Sequence, residues 1–139
     1  MSKLLDLIRE HEGVVKHAYQ DSRGYWTIGC GRLIDEELGG VLSDDEIDYL
    51  LANDVKRCED EAVTYPFYAK MDEARKAVII SMLFNLGKPN FDKFQNMQAA
   101  LLVGDFNLAA NEMLNSRWAT QVGHRANHLA QMMRTGEWK

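Results

Sequence analysis

The apolar positions of this chain fall into a short helical pattern, then a stretch of alternation, then helical patterns for most of the remainder. Residues 2–12 place Leu4, Leu5 and Ile8 along one side of a helix, with Ser2 as the expected N-cap and Gly13 as the stop. Glu12 lies four residues beyond Ile8, so it shares the side of that stripe. An acid on the core side of a helix is unusual, because desolvation penalises a charged carboxylate. Alternation follows over 17–20 and 25–31, with Asp21-Ser22-Arg23-Gly24 as turn chemistry between the two runs, and this predicts a β-hairpin. In such a hairpin Tyr25, Thr27, Gly29 and Gly31 share one face, and glycines beside Thr27 permit close approach by a ligand or another backbone.

Beyond Gly39-Gly40 the chain turns helical. Ser43-Asp44-Asp45-Glu46 forms a capping box, and Ile47, Leu50, Leu51, Val55, Cys58 and Ala62 carry one stripe until Tyr65-Pro66. Asp72 is expected to cap the next helix, which runs to Gly87 and is apolar nearly all round from Ala77 to Phe84, the mark of a buried central helix. Shorter helices are predicted near 94–103, 106–115 and 124–134. The pattern implies an α+β class, mostly helical: a small N-terminal β-hairpin lobe, a long connecting helix and a helical C-terminal lobe. It reads as a single domain over 1–139, with lobes near 13–60 and 61–139 in addition to the helix at 2–12.

Composition narrows the function. With 139 residues, 46% of them hydrophobic, and only 2 prolines, the chain is an ordinary globular one. A formal net charge of -5 argues against a nucleic-acid partner. Eleven acids against Lys56 and Arg57 lie between Asp35 and Glu61, whereas Arg117, Arg125, Arg134 and Lys139 outweigh Glu137 after Ser116. Opposite bias of this kind reads first as two solvated faces. Cys30 and Cys58 have no metal-type spacing and suit free thiols in a reducing compartment. The charged N-terminal stretch gives no signal peptide and no membrane insertion, so synthesis in the cytoplasm is expected.

The candidate chemistry is Glu12-x8-Asp21-x5-Thr27. A helix end places one carboxyl, a polar turn the second, and a strand the hydroxyl. Glycosidic cleavage asks for this division: one carboxyl donates a proton to the leaving oxygen while the other stays ionised, and Thr27 can hold a water beside it. On spacing alone these residues could equally be a solvated helix end, an ordinary turn and a strand threonine. His124 and His128, at i and i+4, lack a third zinc ligand of suitable spacing and read as surface histidines, so neither a metal nor another cofactor is expected. Trp118 and Trp138 read as closing the core of the helical lobe.

The run Glu12-Gly13 through Tyr19-x-Asp21-x-x-Gly24-Tyr25-x-Thr27-Ile28-Gly29-x-Gly31 resembles the signature of the phage-type lysozymes, the endolysins of glycoside hydrolase family 24. Phe84-Asn85-Leu86-Gly87, Ser116-Arg117-Trp118, Arg125 and Arg134-Thr135-Gly136-x-Trp138 extend the resemblance along nearly the whole chain. The resemblance implies a muramidase that hydrolyses the β-1,4 bond between N-acetylmuramic acid and N-acetylglucosamine in peptidoglycan strands. Glu12 would be the general acid, Asp21 the base for a water on the opposite face, and Thr27 that water's second holder. Arg125 would pair with the acid, and Gly31, Leu33, Phe84 and Asn85 would serve as cleft or supporting residues. It also implies a monomer that a holin releases from the host cytoplasm onto the periplasmic wall. Met97 and Glu112 stand where the family has polar cleft residues, which puts the more distant sugar contacts in doubt. Two rivals keep the substrate and change the chemistry: a lytic transglycosylase, which needs one acid and no activated water, and a non-catalytic wall-binding protein on the same fold.

Overall fold

A computed structural model describes residues 2–20, 26–29, 32–35 and 42–138, the strand residues through their backbone. Helix α1 (Ser2–Glu12) buries Leu4, Leu7 and Ile8, so the stripe runs through Leu7 where the sequence suggests Leu5. Ser2 is the first helical residue, not the cap. The helix ends at Gly13, which takes φ +74° and donates its N–H to the Arg9 carbonyl at 2.8 Å. Left-handed backbone of that kind favours glycine, as the sequence indicates.

Strands β1 (Val15–Gln20), β2 (Trp26–Gly29) and β3 (Arg32–Asp35) form an antiparallel sheet in that order. The expectation of an α+β class with a separate β-hairpin lobe is corrected in its lobe: β1 and β2 pair, but as part of a three-stranded sheet. The described chain is predominantly helical, and no hairpin lobe stands by itself among the described residues. The strands are only six, four and four residues long. The unit that contains them, Met1–Arg57, also holds α1 and the larger part of the next helix. The hairpin reading also misses β3. A lone two-stranded hairpin is marginal in water, and a third strand pairs the outer backbone groups of β2. Leu33-Ile34 at its centre supplies the apolar residues that such pairing needs.

Helix α2 (Asp44–Ala62) opens on the capping box: Ser43 N–H donates to Glu46 Oε1, and Glu46 N–H to Ser43 Oγ, both at 3.2 Å. The Ser43 backbone N–H, and after it the Ser43 side chain, hold the Glu46 carboxyl below the usual carboxylate range. Arg9 bonds Asp6 at 3.2 Å and Asp48 at 2.8 Å, joining α1 to α2. The second unit is Cys58–Lys139.

That unit is built around α3 (Glu73–Leu86), with Val78, Ile79 and Met82 fully buried, as its apolar run requires. Asp72 caps α3 by accepting from Arg75 N–H at 2.9 Å. Around it are α4 (Lys88–Phe91), α5 (Gln95–Leu102), α6 (Phe106–Leu114), α7 (Arg117–Val122) and α8 (His124–Thr135). Helix α8 packs on α3, α6 and α7, and α6 on α5. Met82, Met97, Met113, Met132 and Met133 are completely buried. Flexible thioethers suit the irregular gaps left where short helices meet at several angles.

Arg75 fastens this unit. Its Nε donates to the Met133 carbonyl at 2.7 Å, Nη2 to the Arg134 carbonyl at 2.8 Å and Nη1 to Asp72 Oδ2 at 2.9 Å. The guanidinium lies 3.7 Å from the centre of the Phe106 ring. One side chain thus joins the start of α3, the end of α8 and α6. No helix among the described residues is long and apolar enough to cross a membrane.

Candidate active site

Glu12 is the last residue of α1, one turn beyond fully buried Ile8, and it is half-buried. The apolar stripe and the Gly13 stop together put a carboxyl at a helix end on the side of the core. Thr27 lies in β2, with Tyr19 of β1 and Leu33 of β3 as its register partners. The sheet thus brings two expected site residues, Thr27 and Leu33, to adjacent backbone positions. Asp21 and Gly31 lie outside the described residues.

Phe84 and Asn85 occupy the last turn of α3, both half-buried, just before Gly87 ends the helix at φ +79°. Asn85 Oδ1 accepts a hydrogen bond from the Trp118 indole at 2.7 Å. Arg125 is the second residue of α8 and half-buried, and it belongs to the unit 58–139, whereas Glu12 belongs to 1–57. Met97, at one of the positions where the family has a polar residue, is wholly buried and serves the core.

Two features escape sequence reading. The first is the partner of Asn85: Trp118 is buried, as a core residue should be, and it also holds a residue of the expected site. The second is a polar cluster, in which Tyr65 donates its hydroxyl hydrogen to Asp92 and accepts from Lys88 Nζ at 2.9 Å. Burial and then the bond to Asp92 raise the Tyr65 phenol, while the bond to Tyr65 raises Lys88. The Tyr65 ring stacks on Phe67 at 5.3 Å, meets Phe91 at the same distance, and has Lys88 Nζ 4.3 Å from its centre. With its ring so occupied, the cluster fixes the α2–α3 connection against α4. Only the i, i+4 spacing of Lys88 and Asp92 signals it in the sequence.

The rings of His124 and His128 stack at 6.2 Å along α8.

Comparison with known proteins agrees in direction. The profile of the family described as phage lysozyme matches residues 9–135. The probable T4-type lysozyme 1 of Dictyostelium discoideum is 27% identical over 98% of this chain and 96% of its own. The endolysin of Acyrthosiphon pisum secondary endosymbiont phage 1 is 27% identical over 88% of this chain and 83% of its own. The pre-baseplate central spike protein Gp5 of Enterobacteria phage T4 is 24% identical over 96% of this chain, which corresponds to 28% of that protein.

Proposed function

From the premise that the chain belongs to the phage lysozyme family, we propose that it is a lysozyme-type hydrolase of peptidoglycan. Its bond would be the β-1,4 link between N-acetylmuramic acid and N-acetylglucosamine. The observation that carries this reading is the family match over 9–135, a range that includes Glu12, Asp21, Thr27 and Arg125. The position of Glu12 supports its role: half-buried at a helix end, its carboxyl is not sealed within the core.

In the proposed reaction Glu12 gives its proton to the leaving sugar oxygen as the anomeric carbon–oxygen bond breaks. A water attacks that carbon from the opposite face, and Asp21 takes the water's proton while Thr27 holds its oxygen. The product is inverted, which asks for a carboxyl separation of roughly 6.5–9.5 Å with room for the water. Arg125 matches the family's arginine that pairs with this acid, and that resemblance is what supports assigning it a supporting role. Gly31, Leu33, Phe84 and Asn85 contact or shape the bound glycan. The protein acts as a monomer, made in the host cytoplasm and released by a holin to the periplasmic wall.

Purified protein incubated with isolated peptidoglycan tests this directly. Release of reducing sugar is expected, with a loss of at least about a hundredfold in Glu12→Gln and Asp21→Asn, the usual worth of a general acid or base. Near-full turnover in Glu12→Gln would refute the assignment of the acid.

A further inference from the structure

Six large apolar side chains are exposed among the described residues, and three of them fall within the short stretch 102–108. Leu102 closes α5, Val103 follows it, and Leu108 stands in the first turn of α6, at 58%, 78% and 43% exposure. Single exposed apolar residues are ordinary, but three about one turn make a patch. The turn is firmly held. Gly104 takes φ +75° and donates its N–H to the Leu101 carbonyl at 3.1 Å, and Asp105 N–H donates to the Ala100 carbonyl at 2.9 Å. The Asp105 carboxylate accepts from Leu108 N–H at 3.1 Å. A Cβ at Gly104 would meet no atom within 4 Å, so the turn faces open space. The patch is presented ready-made, with little ordering left to oppose binding.

Its surroundings select the occupant. Residues 94–116 hold two charged side chains, Asp105 and Glu112, in a chain of which 27% is charged and whose net charge is -5. The exposed polar residues near the patch include the amides Gln95, Asn96 and Asn107. An amide both donates and accepts, so it can pair with its own copy, which a carboxylate or an ammonium cannot do without repulsion. A two-fold contact sets the same surface against itself, so a chain of net negative charge pairs with itself most readily over a face of this kind.

We propose that the α5–α6 turn is the contact surface for a second copy of this chain, with Leu102, Val103 and Leu108 at its centre and the amides around them. Three apolar residues a side make a contact below the roughly 1,200 Å² of stable interfaces, so the pair is weak, with a Kd of about 0.1–1 mM. The dilute protein that acts on the wall is then a monomer, and pairing belongs to high concentration. This goes beyond the hydrolase reading and does not depend on it.

Sedimentation equilibrium of the full chain, from about a tenth of that Kd to about ten times it, is the test. The weight-average mass should climb from 15.9 kDa toward twice that value. Added salt should leave pairing intact or strengthen it, since it screens repulsion between the two copies. Val103→Glu brings like charges together and should weaken pairing at least about tenfold, whereas Val63→Glu, at an exposed apolar position outside the patch, should pair as wild type does. A mixture of Val103→Glu with Val103→Lys should pair more tightly than either variant alone, because the two-fold sets the two positions close together. Thermal unfolding checks that each variant keeps its fold. A constant mass at all concentrations, pairing undiminished in Val103→Glu, an equal loss in Val63→Glu, or no gain in the mixture overturns the proposal. So does a constant mass accompanied by binding to phosphatidylcholine vesicles, which would give the patch to a lipid surface.

Discussion

Replacing Arg75 with methionine removes the guanidinium that joins the start of α3 to the end of α8 while keeping most of the side chain's apolar stem. The Arg75 side chain is only 15% exposed, so its bonds are poorly screened. Each of its two bonds to the Met133 and Arg134 carbonyls comes from a charged donor, worth about 1.5–3 kcal/mol. Arg134 is exposed, which favours the lower value for its bond, whereas Met133 is buried. The Asp72 partner is 40% exposed, so that ion pair adds no more than about 1 kcal/mol. The Phe106 contact adds about 1 kcal/mol. Because contacts sharing one group are not additive, the expected cost is about 3–4 kcal/mol, a large share of the roughly 5–15 kcal/mol that holds a typical domain together. Urea unfolding followed by far-UV circular dichroism measures it, as a lower midpoint with an unchanged slope. Arg75→Lys should recover about half, since an ammonium cannot reproduce the fork. A loss under about 1 kcal/mol in Arg75→Met would refute the view that this residue fastens the unit.

Three other outcomes follow from the same geometry. Gly136 has φ +70°, and a Cβ there would lie 2.9 Å from Arg75 Nη1, so Gly136→Ala should cost more than the roughly 1–2 kcal/mol of left-handed backbone alone, and the excess should vanish in an Arg75→Met background. The Tyr65 phenol and the Lys88 ammonium are both raised, so their cluster contributes fully below the unfolded values near 10 and is lost as pH rises through the folded ones. Thermal unfolding across alkaline pH should show a steeper decline for wild type than for Tyr65→Phe, and parallel curves would contradict it. The Glu46 carboxyl is lowered, so its cap contributes above the ordinary glutamate value of 4.5 and fades as pH falls through the folded value; the stability gap between wild type and Glu46→Ala should close in acid.

How much of this could be read from residues alone depends on the range of the interactions. The capping box at Ser43 and Glu46, the Gly13 stop and the apolar run of α3 are local, and each stands in the structure as its pattern suggests. Glu12 was legible for the same reason, since a stripe and a stop within one helix set its place. Strand β3 was not, because Leu33-Ile34 breaks strict alternation and only its pairing with β2 defines it. Helices α4 and α7, of four and six residues, are too short to show a period and depend on Gly87 and on the Ser116 cap. The Arg75 bonds reach 58 and 59 residues along the chain, and the Lys88 bond to Tyr65 reaches 23, distances over which no sequence pattern acts. Trp118 shows the limit most clearly: its size signals burial, but nothing in the sequence says that its one polar atom meets Asn85.

The central claim concerns the bond that is cut and the water that enters. Mass spectrometry of the fragments released from purified peptidoglycan tests it most directly. The account predicts muropeptides with intact reducing N-acetylmuramic acid ends, each one water heavier than the corresponding anhydro product, since Asp21 and Thr27 are assigned to that water. Anhydro-muramic ends would contradict the hydrolytic assignment, and binding without any soluble fragments would contradict catalysis altogether.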